Sequence, residues 1–118
     1  MVFSEVGRSG VAMLLGGYGS APGWVGIGSG SGAVSINNTG LIAHTDRNAI
    51  TGSADTSVLK EVAYTADFNS IETSGLVLKE FGLFNVSSGG TLWVREGFAG
   101  ITFDGSNELN IQIRLQIL

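Results

Sequence analysis

Leu109, Ile111, Ile113, Leu115 and Ile117 alternate without a break with Asn110, Gln112, Arg114 and Gln116. A period of two puts the apolar side chains on one face of an extended strand and the polar ones on the other. Such a strand is stable only when a second layer covers its apolar face, so the chain must build a packed sheet. The polar face is left for water or for a neighbouring subunit.

The same period recurs upstream. Val62, Tyr64, Ala66 and Phe68 alternate with Glu61, Ala63, Thr65 and Asp67, in a stretch that opens near Val58. Leu76 to Phe84 is apolar in both phases, which fits a strand covered on both faces. Leu92, Val94 and Phe98 mark another strand, with Trp93 and Arg95 in the opposite phase. Asn85 to Gly90 and Asp104-Gly105 read as turns. Trp24-Val25-Gly26-Ile27 is a short strand after a loop around Pro22. Residues 33 to 45 carry no clean period; a turn is expected at Asn37-Asn38, a helical turn near Leu41 and a strand from Arg47 to Thr51. Short strands separated by turn signals predict a mainly β fold, an antiparallel, jelly-roll-like β-sandwich over about 24–118.

One helix is expected ahead of it, from Ser4 to Leu15. Ser4 can accept a backbone N–H as the N-cap, and Glu5 lies near the positive end of the helix dipole. Val11, Leu14 and Leu15 form an apolar stripe to lay on a sheet, and Gly16-Gly17 provides a left-handed stop. Gly7 and Gly10 each cost the helix about 1 kcal/mol relative to Ala, so it forms only when docked. At 118 residues the whole chain, 1–118, is one domain.

Composition removes several functions. The six Lys and Arg are scattered and the net charge is −4, which suits no phosphate-binding surface, so no nucleic-acid partner is expected. No apolar run reaches the length of a membrane span and no secretory signal is evident, so neither membrane nor export is expected. The absence of Cys excludes disulfides and thiolate zinc sites and fits assembly in a reducing cytoplasm. Charged residues make up only 14%, against about a quarter in ordinary domains. A surface so weakly charged is expected to be covered in part by other subunits.

Little chemistry is on offer. His44 is the only histidine, so any Ser-His-Asp device must use it, and His44-Thr45-Asp46 reads more simply as a polar loop. One imidazole with scattered carboxylates lacks the ligand count of a metal site. Glu80 and Glu96 could serve a glycosidase only by facing each other across a cleft. Glu80 interrupts a very apolar strand and is expected to be a buried acid paired with Arg47, Arg95 or backbone N–H groups. Gly28-Ser29-Gly30-Ser31-Gly32-Ala33 matches a dinucleotide fingerprint by chance, since no helix follows. Its glycines read as a loop that is flexible or packs closely on another chain. Trp24 and Trp93, with Tyr18, would be the sugar-stacking residues of a carbohydrate-binding adhesion module. No catalytic residue, cofactor or metal is expected.

The order of features resembles the N-terminal domain of phage tail-collar fibre proteins and their stand-alone relatives among virion proteins. The residues that carry it are Ile27-Gly28-Ser29-Gly30 after Trp24, and Arg47 ahead of Ile50. They continue with Glu80-Phe81-Gly82-Leu83-Phe84, Gly90-Thr91-Leu92-Trp93-Val94-Arg95 and the alternating Leu109 to Leu118. The resemblance spans nearly the whole chain. It implies a non-enzymatic structural protein of a tailed bacteriophage virion, assembled in the host cytoplasm and partnered by other tail, fibre or capsid proteins. It also implies self-association, and phage architecture makes a cyclic homo-oligomer such as a trimer the natural form. Fibre proteins continue into a shaft and tip, whereas this chain ends on its last strand. The expected roles are therefore a tail or fibre attachment component or a capsid decoration protein. Gly28, Gly30, Arg47, Glu80, Gly82, Leu83, Phe84, Trp24 and Trp93 are the candidate structural and interface residues.

Overall fold

The computed structural model describes residues 2–56 and 61–116. In chain order the elements are β1 (Val2–Phe3), α1 (Glu5–Leu15), β2 (Trp24–Gly28), β3 (His44–Ala49), β4 (Gly52–Thr56), β5 (Glu61–Phe68), β6 (Val77–Phe84), β7 (Leu92–Thr102) and β8 (Leu109–Gln116). The strands form two antiparallel sheets, one of five strands in the order β1-β7-β6-β2-β3 and one of three in the order β4-β5-β8. The fold is mainly β, a sandwich with one N-terminal helix, as the periodicity predicts. Val58, Ile117 and Leu118, placed in strands by the sequence, lie outside the described residues.

The alternating strands find each other. β5 and β8 pair with Tyr64 opposite Ile113, Ala66 opposite Ile111 and Phe68 opposite Leu109, so both apolar phases share one face. From the other sheet, Val25 pairs with Leu83 and Leu83 with Val94, which gives a second apolar face. Phe68, Ile27 and Leu83 are completely buried in the cluster between them. Each such side chain contributes about 1.5–3 kcal/mol by leaving water. That burial drives the two layers together.

The helix docks differently from expectation. Ser4 is its N-cap: the hydroxyl accepts the Gly7 N–H at 2.9 Å, and the Ser4 N–H donates to the Trp93 carbonyl at 2.9 Å. The last turn closes as a Schellman motif, with Tyr18 N–H on Met13 O and Gly17 N–H on Leu14 O, Gly17 taking φ +84°. The sheet, however, is met by Gly7, Gly10 and Val11, while Leu14 is 36% and Leu15 86% exposed. The Val11-Leu14-Leu15 stripe therefore does not lie on the sheet as a unit. A Cβ at Gly7 would stand 2.7 Å from the Trp93 Cα, and one at Gly10 would stand 2.8 Å from the Trp93 ring. The two glycines let the helix backbone rest directly on Trp93, which centres the contact on the first two turns and leaves the last one free. Gly7→Ala tests this. Helix propensity alone favours Ala by about 1 kcal/mol, whereas forcing a methyl into a packed contact costs about 1–3 kcal/mol. The obstacle is backbone, so the steric term should win and chemical denaturation should show net destabilisation.

Two further expectations change. The strand at Arg47 to Thr51 is two strands: β3 ends at Ala49 in one sheet and β4 starts at Gly52 in the other. The Asn48 carboxamide ties this corner to the second layer by donating to Asp67 O at 2.9 Å and to Glu72 Oε2 at 2.8 Å. The helical turn near Leu41 is absent, because that residue belongs to a strap spent on covering a sheet face.

Candidate functional site

Along β6, Phe81 and Leu83 pair with the inner-face residues Ile27 and Val25, so Glu80 and Gly82 occupy the opposite, outer face. The register aligns Gly26 with Gly82 and Gly82 with Arg95, and beside them Gly28 with Glu80 and Glu80 with Gly97. Three neighbouring strands thus present four glycines around one acid and one base. Residues 29 to 43 cross this face as the strap. Leu41 lies over the glycines so closely that a Cβ at Gly82 would meet it at 3.0 Å and one at Gly26 at 3.3 Å.

A strap without regular structure brings backbone N–H groups that no ladder satisfies. Glu80, fully buried, supplies their acceptors. Its Oε2 accepts the Gly30 N–H at 2.9 Å and the Ala43 N–H at 2.8 Å. Its Oε1 accepts the Ile42 N–H at 2.8 Å and the Arg95 Nε–H at 3.0 Å. Arg95, 1% exposed, also points Nη1 at the Gly32 and Ala33 carbonyls, each at 3.4 Å. The pair thus holds both ends of the strap. The close approach demands glycine at Gly28 and Gly30: a Cβ at Gly28 would sit 2.7 Å from Glu80 Oε2, and one at Gly30 would collide with the same oxygen. Gly28 and Gly30 of the Gly/Ser run thus pack closely on this chain's own carboxylate. Arg95 Nη2 is buried without a protein partner.

Burial pushes the Glu80 carboxyl up, but the N–H groups of Ala43 and Ile42, the Arg95 guanidinium and the Gly30 N–H outweigh it and hold it below the ordinary 4.5. A carboxylate with a depressed folded pKa contributes stability that is whole above its unfolded pKa. That stability is lost as pH falls through the folded value. The unfolding midpoint is therefore expected to drop as pH is lowered below about 4.5. A Glu80→Gln variant should show a flatter profile over the same range.

Arg47 adjoins this clamp. It pairs with Gly26 across the β2–β3 ladder, its guanidinium lies 3.5 Å over the Phe84 ring, and Nη1 donates to Val86 O at 3.0 Å and Gly89 O at 2.9 Å. It steadies the turn between β6 and β7 and is not the partner of Glu80. Burial lowers its pKa. His44 stacks on Phe84 at 6.0 Å and donates from Nε2 to the Asp46 backbone carbonyl at 2.9 Å. The Asp46 carboxylate instead accepts the Arg47 N–H, so no His–carboxylate pair exists here.

Seven of the nine candidate residues, Trp24, Gly28, Gly30, Arg47, Glu80, Gly82 and Phe84, gather on or against this outer face. Leu83 and Trp93 belong to the core. Trp93 is 4% exposed beneath the helix, so it offers no face to a sugar, whereas Trp24 is half-buried and Tyr18 exposed. Glu96 pairs with Phe81 while Glu80 pairs with Gly97, so these two acids project from opposite faces of the sheet and share no cleft. No helix follows Gly28-x-Gly30. The residues that the sequence underweights are Ile42 and Ala43, whose contribution is backbone N–H and leaves no side-chain signal.

Elsewhere a shallow cavity of about 380 Å³ is lined by Ser29, Thr45, Glu72, Ser74, Leu76 and Val77. Glu72 there accepts from Asn48 and the Asn69 N–H, and among the described residues no group of three potential ligands could hold a metal. No described helix is long and apolar enough to cross a membrane. Compared with known proteins, the chain matches no family model and no curated protein sequence.

Proposed function

We propose that this chain is a non-catalytic structural subunit of a tailed-phage virion, docking on the particle as a tail or fibre attachment component. The observation that carries this reading is how the residues behind the tail-collar resemblance are used. Glu80 and Gly82, the Gly28-Ser29-Gly30 turn and Arg47 meet on one sheet face, and their polar groups bind this chain's own backbone. A motif committed to holding a scaffold in shape supports a building role, and it leaves no reactive group poised toward a substrate. The surface adds to this. Met13, Leu14, Leu15 and Tyr18 stand exposed at one end of the helix on a chain of low charge, the kind of patch that other subunits cover.

The test is to fractionate purified tailed-phage particles whose genome encodes this chain, and to quantify it by mass spectrometry. Presence in step with the low-order symmetry of the tail supports attachment. A copy number in step with the capsid lattice makes it a decoration protein. Absence from intact particles ends the proposal.

A further inference from the structure

β8 is bonded to β5 through all of Leu109 to Gln116, and among the described residues no strand lies along its other edge. An open edge is a row of unpaired N–H and C=O groups and a template for another strand. The fold blunts two of its other edges. On β3 the Asp46 carboxylate caps the Arg47 N–H at 2.8 Å, and on the outer half of β7 Glu96 caps the Gly97 N–H at 3.1 Å before Gly100 bends the strand at φ +121°. β8 carries none of these devices. It runs eight residues without bulge, Pro, Gly or Lys.

We infer that β8 is a self-pairing edge: two copies of this chain join antiparallel through residues 110–116 about a two-fold axis, fusing their three-stranded sheets into one. The occupant follows from complementarity. Matching apolar to apolar faces requires the paired residue numbers to sum to an even value, because one residue of slip turns every side chain over. Centring on Ile113 sets Ile111 opposite Leu115 and Gln112 opposite Arg114 of the other copy. No two like charges stand directly opposite each other. The strand's one charge, Arg114, is already bonded to Glu61 at 2.7 Å and leans on Gln112 at 3.2 Å, ready to share with a second Gln112. The apolar line also wants extension: Ile111 and Ile113 are buried, whereas Leu109 and Leu115 are only half-covered. A copy supplies the same line in reverse.

Such a pair is isologous and two-fold, which differs from a cyclic trimer, and it does not depend on the virion role. Light scattering on the purified chain over a concentration series should give twice the 12.2 kDa chain mass, with amide exchange at 110–116 slowing as the dimer forms. Gln112→Lys, which faces Arg114 of the other copy, should give a monomer with unchanged near-UV circular dichroism. Gln112→Glu should tighten the dimer. A monomer at every soluble concentration overturns the inference. So does a trimer, or a dimer indifferent to Gln112→Lys. Protection of 110–116 that appears only when phage particles are added would mean that a foreign strand uses the edge, and would overturn it too.

Discussion

Replacing Glu80 by Gln is expected to destabilise the protein by about 3–5 kcal/mol, the usual result of removing one member of a buried ion pair. The amide keeps one acceptor oxygen where the carboxylate has four donors to satisfy. Its NH₂ group must face either Arg95 or the strap N–H groups, donor against donor. The Arg95 guanidinium, 1% exposed, then keeps its charge without a counterion. Urea denaturation followed by fluorescence measures the loss, and amide exchange shows where it falls, with Gly30, Ile42 and Ala43 opening first. A double variant, Glu80→Leu with Arg95→Leu, separates the two contributions. It removes the stranded charge and should recover part of the loss, but the strap N–H groups stay unpaired, so exchange at Ile42 and Ala43 should remain fast. A Glu80→Gln variant within 1 kcal/mol of the parent protein would contradict the clamp.

Trp93→Ala is expected to cost a similar amount, about 3–5 kcal/mol, through a cavity in the core. Its further consequence is local. α1 is an eleven-residue helix with two internal glycines, below the length that stands alone in water. Its main support is the surface of Trp93, against which Gly7 and Gly10 lie and Phe3 packs at 6.0 Å between ring centres. With the ring gone, the segment should lose helical circular dichroism and become the first site of proteolysis. Trp93→Phe makes the informative contrast. The indole N–H is buried without a protein partner, so Phe keeps much of the ring and discards an unsatisfied donor. Its cost should stay below about 1.5 kcal/mol, with the helix retained. Equal loss in both variants would mean that the helix docks by some other contact.

What the chain's own alphabet settles is whatever acts over a few residues. The period of β5 and β8, the doubly apolar β6, the Ser4 cap and the Asp104-Gly105 turn all follow from side-chain spacing or from bonds within one turn of backbone. That a lone acid in so apolar a strand must be buried and paired follows too, because water cannot reach it. Its partner does not follow. Arg47 and Arg95 are equal candidates along the chain, and only the strand register puts Arg95 beside Glu80 while it sends Arg47 over Phe84. The same register makes sense of the glycines. Gly26, Gly28, Gly82 and Gly97 look like weak points in their own strands, yet side by side they form the floor beneath the strap. Gly7 and Gly10 weaken a helix taken alone and allow it to dock once Trp93 lies beneath. Such contacts join residues well separated along the chain, 15 positions for Glu80–Arg95 and 50 for Glu80–Gly30, and depend on backbone proximity, which no local pattern records. The strand faces were therefore readable from spacing alone, whereas the clamp, the strap and the free edge exist only once the sheets are assembled.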